Sequence, residues 1–380
     1  MAISVAGGVK PGKVIEVEQR HYQKIIVGKQ KANTVVDSFD AQAENDANKL
    51  EIERQAIRLR VEQQAKSQQI YKAVSAQLTS TVNNAIEHQL ASPELVLENS
   101  KLEESQILLI EQILASEPNL NRMRPLIANL SWLSRDLVTM INSPASKHRR
   151  PKTSDVQVTD LKLVLNYIGI ENLRLLIPYF SLRNWLPSGN ANLLWTTRKL
   201  WRYSMVTAIA AQALAQLHEK DVSLIYSSAL MYQMGTAVIL NNSISIYDKT
   251  WGGWLREASQ ERDKEVYDAV MATEFPAQKV YEQVLAHGHS LNWQLLELLE
   301  FKDSPLTNIL KELDEAYYFS DLSVEAQIVA KASSFAKVYL LSEINMIEPA
   351  ERRVMFDYYQ FSEQEILRLK AQNFRKLDLL

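Results

Sequence analysis

Apolar side chains return every fourth residue at Ile70, Val74, Leu78, Val82, Ile86 and Leu90, which draws one stripe along a helix. The whole of residues 38–90 lacks proline and glycine and is filled with Gln, Ala, Glu, Lys and Arg, residues that lose little freedom in a helix. The first half holds few apolar residues (Leu50, Ile52, Ile57, Leu59, Val61), so the pattern predicts that only the second half docks. As one straight rod the span would reach about 80 Å; a bent helix, a hairpin or a helix meeting a second copy stays open. Ala91-Ser-Pro93 ends it, because proline disfavours the helical region for the residue before it. Upstream, residues 13–27 are β-branched and partly alternating around Gln19-Arg-His-Tyr22, which reads as a short hairpin or an extended arm.

From residue 100 the spacing becomes that of compact, core-facing helices at 102–114, 125–142 and 155–185, the last in two pieces. After the break Pro187-Ser-Gly-Asn190, residues 191–218 carry Leu194, Trp201, Met205, Ile209, Ala213 and Leu217 on one side, as a buried central helix does. Residues 223–240 are largely apolar, and residues 241–254, with Gly252-Gly253, read as a break. Three or four further helices follow, the last opening at Ser362-Glu-Gln-Glu365, where serine and glutamate satisfy free amides reciprocally.

The expected fold is therefore all-α. It divides into an N-terminal extension (1–37), a long helical segment (38–99), a helical domain of two subdomains (100–186 and 187–342) and a C-terminal helical extension (343–380). Only ten glycines and eleven prolines in 380 residues agree with this. A net charge of −3 gives no global field toward nucleic acid or an anionic membrane. The absence of cysteine removes disulfides, zinc-thiolate sites and thiol nucleophiles and fits a reducing compartment. With no basic leader and no run of about 18 apolar residues, the expectation is a cytoplasmic protein that neither spans nor binds a membrane and carries no specific nucleic-acid signal.

Four segments stand in a familiar order: Leu137-Val-Thr-Met-Ile-Asn-Ser-Pro144, Leu161 to Arg174 with Ile168-Gly169, Leu200-Trp-Arg-Tyr-Ser204, and Ala229-Leu-Met-Tyr-Gln-Met-Gly235. This resembles the HDOD family, a bacterial-type group of helical bundles related to HD-type metal-dependent phosphohydrolases, over roughly residues 104–342. Its most specific part is the spacing from Asn142-Ser143 to Gly169, with Ile168 where the family has leucine. The resemblance implies an HDOD-type bundle of two subdomains, here with an additional long N-terminal helix. It places the first metal-binding histidine of the catalytic relatives at Tyr203 and their His-Asp pair at Tyr232 and Gln233, and finds no later histidine around residues 273–278. A phenol titrating near 10 and a neutral amide are poor replacements for imidazole and carboxylate, so no metal, no cofactor and no catalytic residue is expected.

Other residues carry candidate chemistry. The loop Lys147, His148, Arg149, Arg150, Lys152 places four fixed positive charges in six residues, to bind a phosphate, a nucleotide or an acidic partner helix, or simply to be solvated. Arg198, Trp201 and Arg202, with Trp195 beside them, suit a nucleotide-stacking cleft, the alternative being that the tryptophans are core. His287-Gly-His289 is the one close histidine pair, but residues two apart do not share a helix face. Gly252-Gly253 marks either a lid or a plain turn. The expected function is a non-catalytic signalling or regulatory scaffold that binds another protein or a small nucleotide-like messenger. The alternatives are a degenerate phosphohydrolase with displaced metal ligands and a structural adaptor that forms homo-oligomers through residues 38–90.

Overall fold

The computed structural model describes residues 8–28, 51–143 and 157–375. Their regular structure is all helix, joined by short connections, with no strand among the described residues. The first element corrects the sequence reading: residues 13–27 form neither hairpin nor arm but helix α1 (Gly12–Ile26), burying Val14, Val17, His21, Tyr22, Ile25 and Ile26. Those positions recur at three and four residues, and this helical spacing outweighs the β-branched composition. Polar Glu18 and His21 interrupt the stripe, which hides it from a purely apolar pattern.

Helix α2 (Glu51–Leu90) behaves as its pattern predicts. Leu78, Val82 and Ile86 are buried, whereas residues 58–69 are exposed. Ser92 caps α3 (Pro93–Glu98) through the Leu95 amide, with proline in the first turn, where its missing N–H costs nothing.

Helix α4 (Glu104–Leu114) follows. The expected single helix at 125–142 is two, α5 (Leu120–Asn129) and α6 (Ser131–Asn142). Leu130 turns the corner at ψ 82°, and the Ser134 hydroxyl donates to the Ile127 carbonyl at 2.7 Å, satisfying an acceptor the ended helix leaves free. Helices α7 (Leu161–Ile168) and α8 (Ile170–Trp185) are the two pieces expected at 155–185, separated at Gly169. Its φ of 76° and ψ of 158° lie in a region essentially reserved for glycine.

The central helix α9 (Leu194–Leu217) is buried along most of its length and packs on α10 (Val222–Met231). Helix α11 (Met234–Glu261) corrects a second expectation, since residues 241–254 are helix and Gly252-Gly253 neither a turn nor a lid. Two glycines in a helix cost about 1 kcal/mol each. Packing offsets this, because Trp251, Trp254 and Leu255 lie against the core and the Trp251 indole donates to the Val270 carbonyl at 2.9 Å. Among the described residues, the stretch Val222–Glu261 is long and apolar enough to cross a membrane by composition, and 89% of its most apolar window is buried inside the bundle.

Helices α12 (Lys264–Ala272) and α13 (Ala277–Leu298) return across α11. A Cβ on Gly235 of α11 would run into the Gly288 carbonyl of α13, so it is Gly235 that lets the two helices approach closely. The chain closes with α14 (Pro305–Glu315), α15 (Val324–Glu343), α16 (Pro349–Tyr358) and α17 (Glu363–Lys370). The capping box at Ser362 and Glu365 is present as predicted, and helix α15 lies along α9.

Candidate functional site

Two sites flank α9, because residues two apart on a helix point about 200° apart: Tyr203 faces one way and Trp201 the other. On the first side the three positions that replace metal ligands come together from α9 and the α10–α11 junction. The Tyr203 hydroxyl hydrogen-bonds Ser333 of α15 at 2.8 Å. Tyr232 and Gln233 sit in the break between α10 and α11. Asn292 of α13 holds that break, donating to the Tyr232 carbonyl at 2.9 Å and accepting from the Gly235 amide at 2.7 Å.

Helix α1 occupies much of the space among them, leaving a cavity of about 120 Å³ lined by Tyr232, Ser333 and Lys337. His21 packs edge-on to Tyr203 with ring centroids 4.5 Å apart, and the Tyr22 hydroxyl donates to Gln233 Oε1 at 3.3 Å. One turn earlier, Glu18 accepts from Lys337 Nζ at 2.8 Å, from the Tyr359 hydroxyl at 2.8 Å and from Lys10 Nζ at 2.6 Å. Lys337 is 4% exposed. Burial alone would raise the Glu18 carboxyl, but the Lys337 and Lys10 ammonium groups outweigh it and hold the group below the usual carboxylate range. Burial, reinforced by Lys337, lowers His21 to about 3. His289, edge-on to Tyr232 at 4.9 Å, is lowered by burial to about 4.

A divalent metal does not fit these residues. Burial pushes the Tyr22, Tyr203 and Tyr232 phenols above their ordinary range, so none is a ready anionic ligand. Glu18 is committed to two lysines, and Lys337 places a cation where a metal would need lone pairs. The Nδ1 of His21 is buried without a hydrogen-bond partner, yet a single imidazole is not a ligand set. No group of three or more His, Cys, Asp or Glu side chains suited to a metal occurs among the described residues, and His287 and His289 form no such cluster.

On the opposite side of α9 is an open cavity of about 730 Å³. Leu176, Phe180 and Ile209 form its apolar floor, and Tyr179 meets Trp201 edge-on at 4.8 Å. Arg183, Arg202 and Arg375 stand at its rim, with Asp136 of α6 opposite them in character. A second cavity of about 330 Å³ shares Arg183 and Trp201 and adds Arg198, whose guanidinium lies over Trp195 at 5.1 Å. Trp195 is 65% exposed and is not core; Trp201 is half-buried.

The family motif has a structural role. Asn142 donates to the Val158 carbonyl at 2.8 Å and accepts from the Val158 amide at 3.0 Å, tying the end of α6 to the start of the segment leading into α7. Lys147, His148, Arg149, Arg150 and Lys152 lie outside the described residues.

The HDOD domain model matches residues 101–280, from the approach to α4 into the first turn of α13. The chain carries an HDOD domain. Helix α9, the Asn142 clamp and the α10–α11 break lie within it, whereas α1, α15 and α16, and the Phe374 and Arg375 side chains of the open cavity, do not. No curated protein matches the chain. Among solved structures, the "Putative metal-dependent phosphohydrolase" from Shewanella amazonensis SB2B aligns with 75% of this chain and 98% of its own, at 14% identity and a TM-score of 0.36.

Sequence reading found Tyr203, Tyr232, Gln233, Trp201 and Arg202. It missed Glu18, His21, Lys337, Asn292 and Asp136. For Glu18 and His21 a signal existed: both lie on the helical face shared with Val14, Tyr22 and Ile25. For the others, lone polar residues inside long helices, the sequence carries none.

Proposed function

We propose that this HDOD protein is a non-catalytic regulatory scaffold of the cytoplasm that works by binding. The observation that carries the reading is the insertion of His21 and Tyr22 among Tyr203, Tyr232 and Gln233, backed by the Glu18–Lys337 pair. Where a hydrolytic relative needs room for a metal, a water and a phosphoester, this chain places its own helix. The groups there are neutral phenols, an amide and an uncharged imidazole, and none of them ionises water. The open face of α9, by contrast, keeps an accessible cavity with charged and aromatic groups, the usual character of a binding site.

The test is metal content together with turnover on purified full-length protein, using bis-p-nitrophenyl phosphate as substrate and Mn²⁺, Mg²⁺ or Zn²⁺ supplied in excess. The expected result is no stoichiometric metal after desalting and no hydrolysis above buffer. Stoichiometric metal with turnover that disappears in Gln233→Leu would overturn the proposal in favour of a degenerate hydrolase.

A further inference from the structure

From the cavity on the open face of α9 we infer a binding site for a purine nucleotide, with guanine preferred over adenine; this rests on the binding-module reading above and names its ligand class. The cavity volume of 730 Å³ lies within the range of small-molecule sites. Its shape of charge is what selects. Trp201 and Tyr179 are held edge to face, 75° apart in plane, which leaves ring faces available to a flat aromatic group. Three arginines among the residues that line the cavity suit phosphate oxygens, which their planar donor forks match. Among the described residues neither Arg183 nor Arg375 makes an ion pair. Arg202 is tied only to half-exposed Glu343 at 2.7 Å, a pair that a phosphate can replace at small cost.

Asp136 sets the base preference. A carboxylate in an otherwise arginine-rimmed cavity repels a purely anionic ligand, so the occupant must also bring hydrogen-bond donors. Guanine offers two adjacent N–H donors on its Watson–Crick edge, whereas adenine offers one amino group. An acidic peptide supplies charge but neither the flat base nor those donors. The site is separate from the side of α9 that α1 occupies, so binding here requires no movement of α1.

Isothermal titration of the full chain with GMP, GTP, AMP, guanosine and inorganic phosphate tests the inference. The expected result is saturable binding of the guanine nucleotides and at least roughly 10-fold weaker binding of guanosine, since charge-assisted hydrogen bonds are the strong ones. Arg183→Ala and Arg375→Ala, both at exposed positions, should each weaken GTP roughly 5- to 10-fold with unfolding unchanged in urea, and Asp136→Asn should erase the preference for GMP over AMP. Absence of saturable nucleotide binding at millimolar concentration, or binding indifferent to both arginine variants, overturns the inference. So does arginine-dependent capture of a synthetic poly-Glu peptide without nucleotide binding. Nucleotide binding accompanied by hydrolysis would instead sink the non-catalytic reading while leaving the site in place, so the two failures are distinct.

Discussion

The two flanks of α9 are built from the same helix and differ in almost every physical respect. One is largely occupied by α1, with its tyrosines, histidine and ion pair buried and joined across more than three hundred residues of sequence, from Glu18 to Lys337 and Tyr359. The other is open, with an apolar floor and a cationic rim whose groups are mostly solvent-exposed. Burial made the first flank part of the fold: its polar groups are neutral or paired, and removing one is a stability event. Exposure left the second flank free of that duty. Substitutions on the two sides should therefore separate cleanly, stability on one and ligand affinity on the other.

The largest effect is expected at Glu18. Glu18→Gln leaves Lys337 buried without its counter-charge, and breaking one half of such a pair costs about 3–5 kcal/mol. Urea denaturation should register that loss, with hydrogen exchange accelerating first in α1. Replacing both partners, Glu18→Leu with Lys337→Leu, should recover much of it, because an apolar pair avoids desolvation. A loss below 1 kcal/mol in the single variant would mean that α1 is only loosely seated.

The next effect depends on pH. His21 is lowered to about 3 in the folded protein and has a value near 6.5 when unfolded. Between these values the unfolded chain takes up a proton that the native chain refuses, so stability is complete above about 6.5 and falls as pH drops toward 3. From pH 6.5 to 5 the loss attributable to His21 is about 2 kcal/mol at most. His289, lowered to about 4, adds a loss of the same sign over a shorter window. Glu18 and Glu351, both held below their usual range, add theirs only below about 4.5. His21→Phe should flatten the slope between pH 5 and 6.5; an unchanged slope there would assign it elsewhere.

How much of this was legible in sequence follows from the range of the interactions involved. The docked half of α2, the break at Gly169 and the Ser362 capping box are local patterns, and residues within four positions carry them. The positions Tyr203, Tyr232 and Gln233 were legible because the family order of segments located them. Helix α1 escapes the apolar pattern because two of its core-facing residues are polar, and the Glu18 partners Lys337 and Tyr359 lie at the far end of the chain. Gly252-Gly253 was misread because local propensity gave no account of the Trp251 and Trp254 packing that carries the helix through. Trp201 and Arg202 stood out by type, but the cavity needs Asp136, Tyr179 and Phe374 from three other segments, and only the fold assembles them.

Gly169 offers an intermediate effect that reaches the open flank through the backbone. It starts α8, which carries Tyr179, Phe180 and Arg183. A Cβ would meet nothing within 4 Å, so Gly169→Ala tests conformation alone, and its φ and ψ predict a cost of about 1–3 kcal/mol. Thermal unfolding measures that cost. Because α8 begins there, nucleotide affinity should fall in the same variant even at temperatures where it is fully folded. Retained affinity would show that the cavity wall tolerates a shift in the register of α8.

The smallest effect is the one that decides whether the two flanks truly differ. Arg202 pairs with Glu343 at 2.7 Å, but the two side chains are 50% and 30% exposed, and exposed pairs contribute about 0–1 kcal/mol. Arg202→Ala should therefore change unfolding free energy by no more than about 0.5 kcal/mol, the ordinary range for surface positions, while its neighbour Tyr203→Phe, one residue along the helix, strips the hydroxyl from Ser333 and costs about 1 kcal/mol or more. Measured side by side in urea, the pair asks whether adjacent residues on α9 belong to different physical regimes. If Arg202→Ala proved as destabilising as Tyr203→Phe, the cationic rim would be holding the bundle together, and its arginines would not be free to serve a ligand.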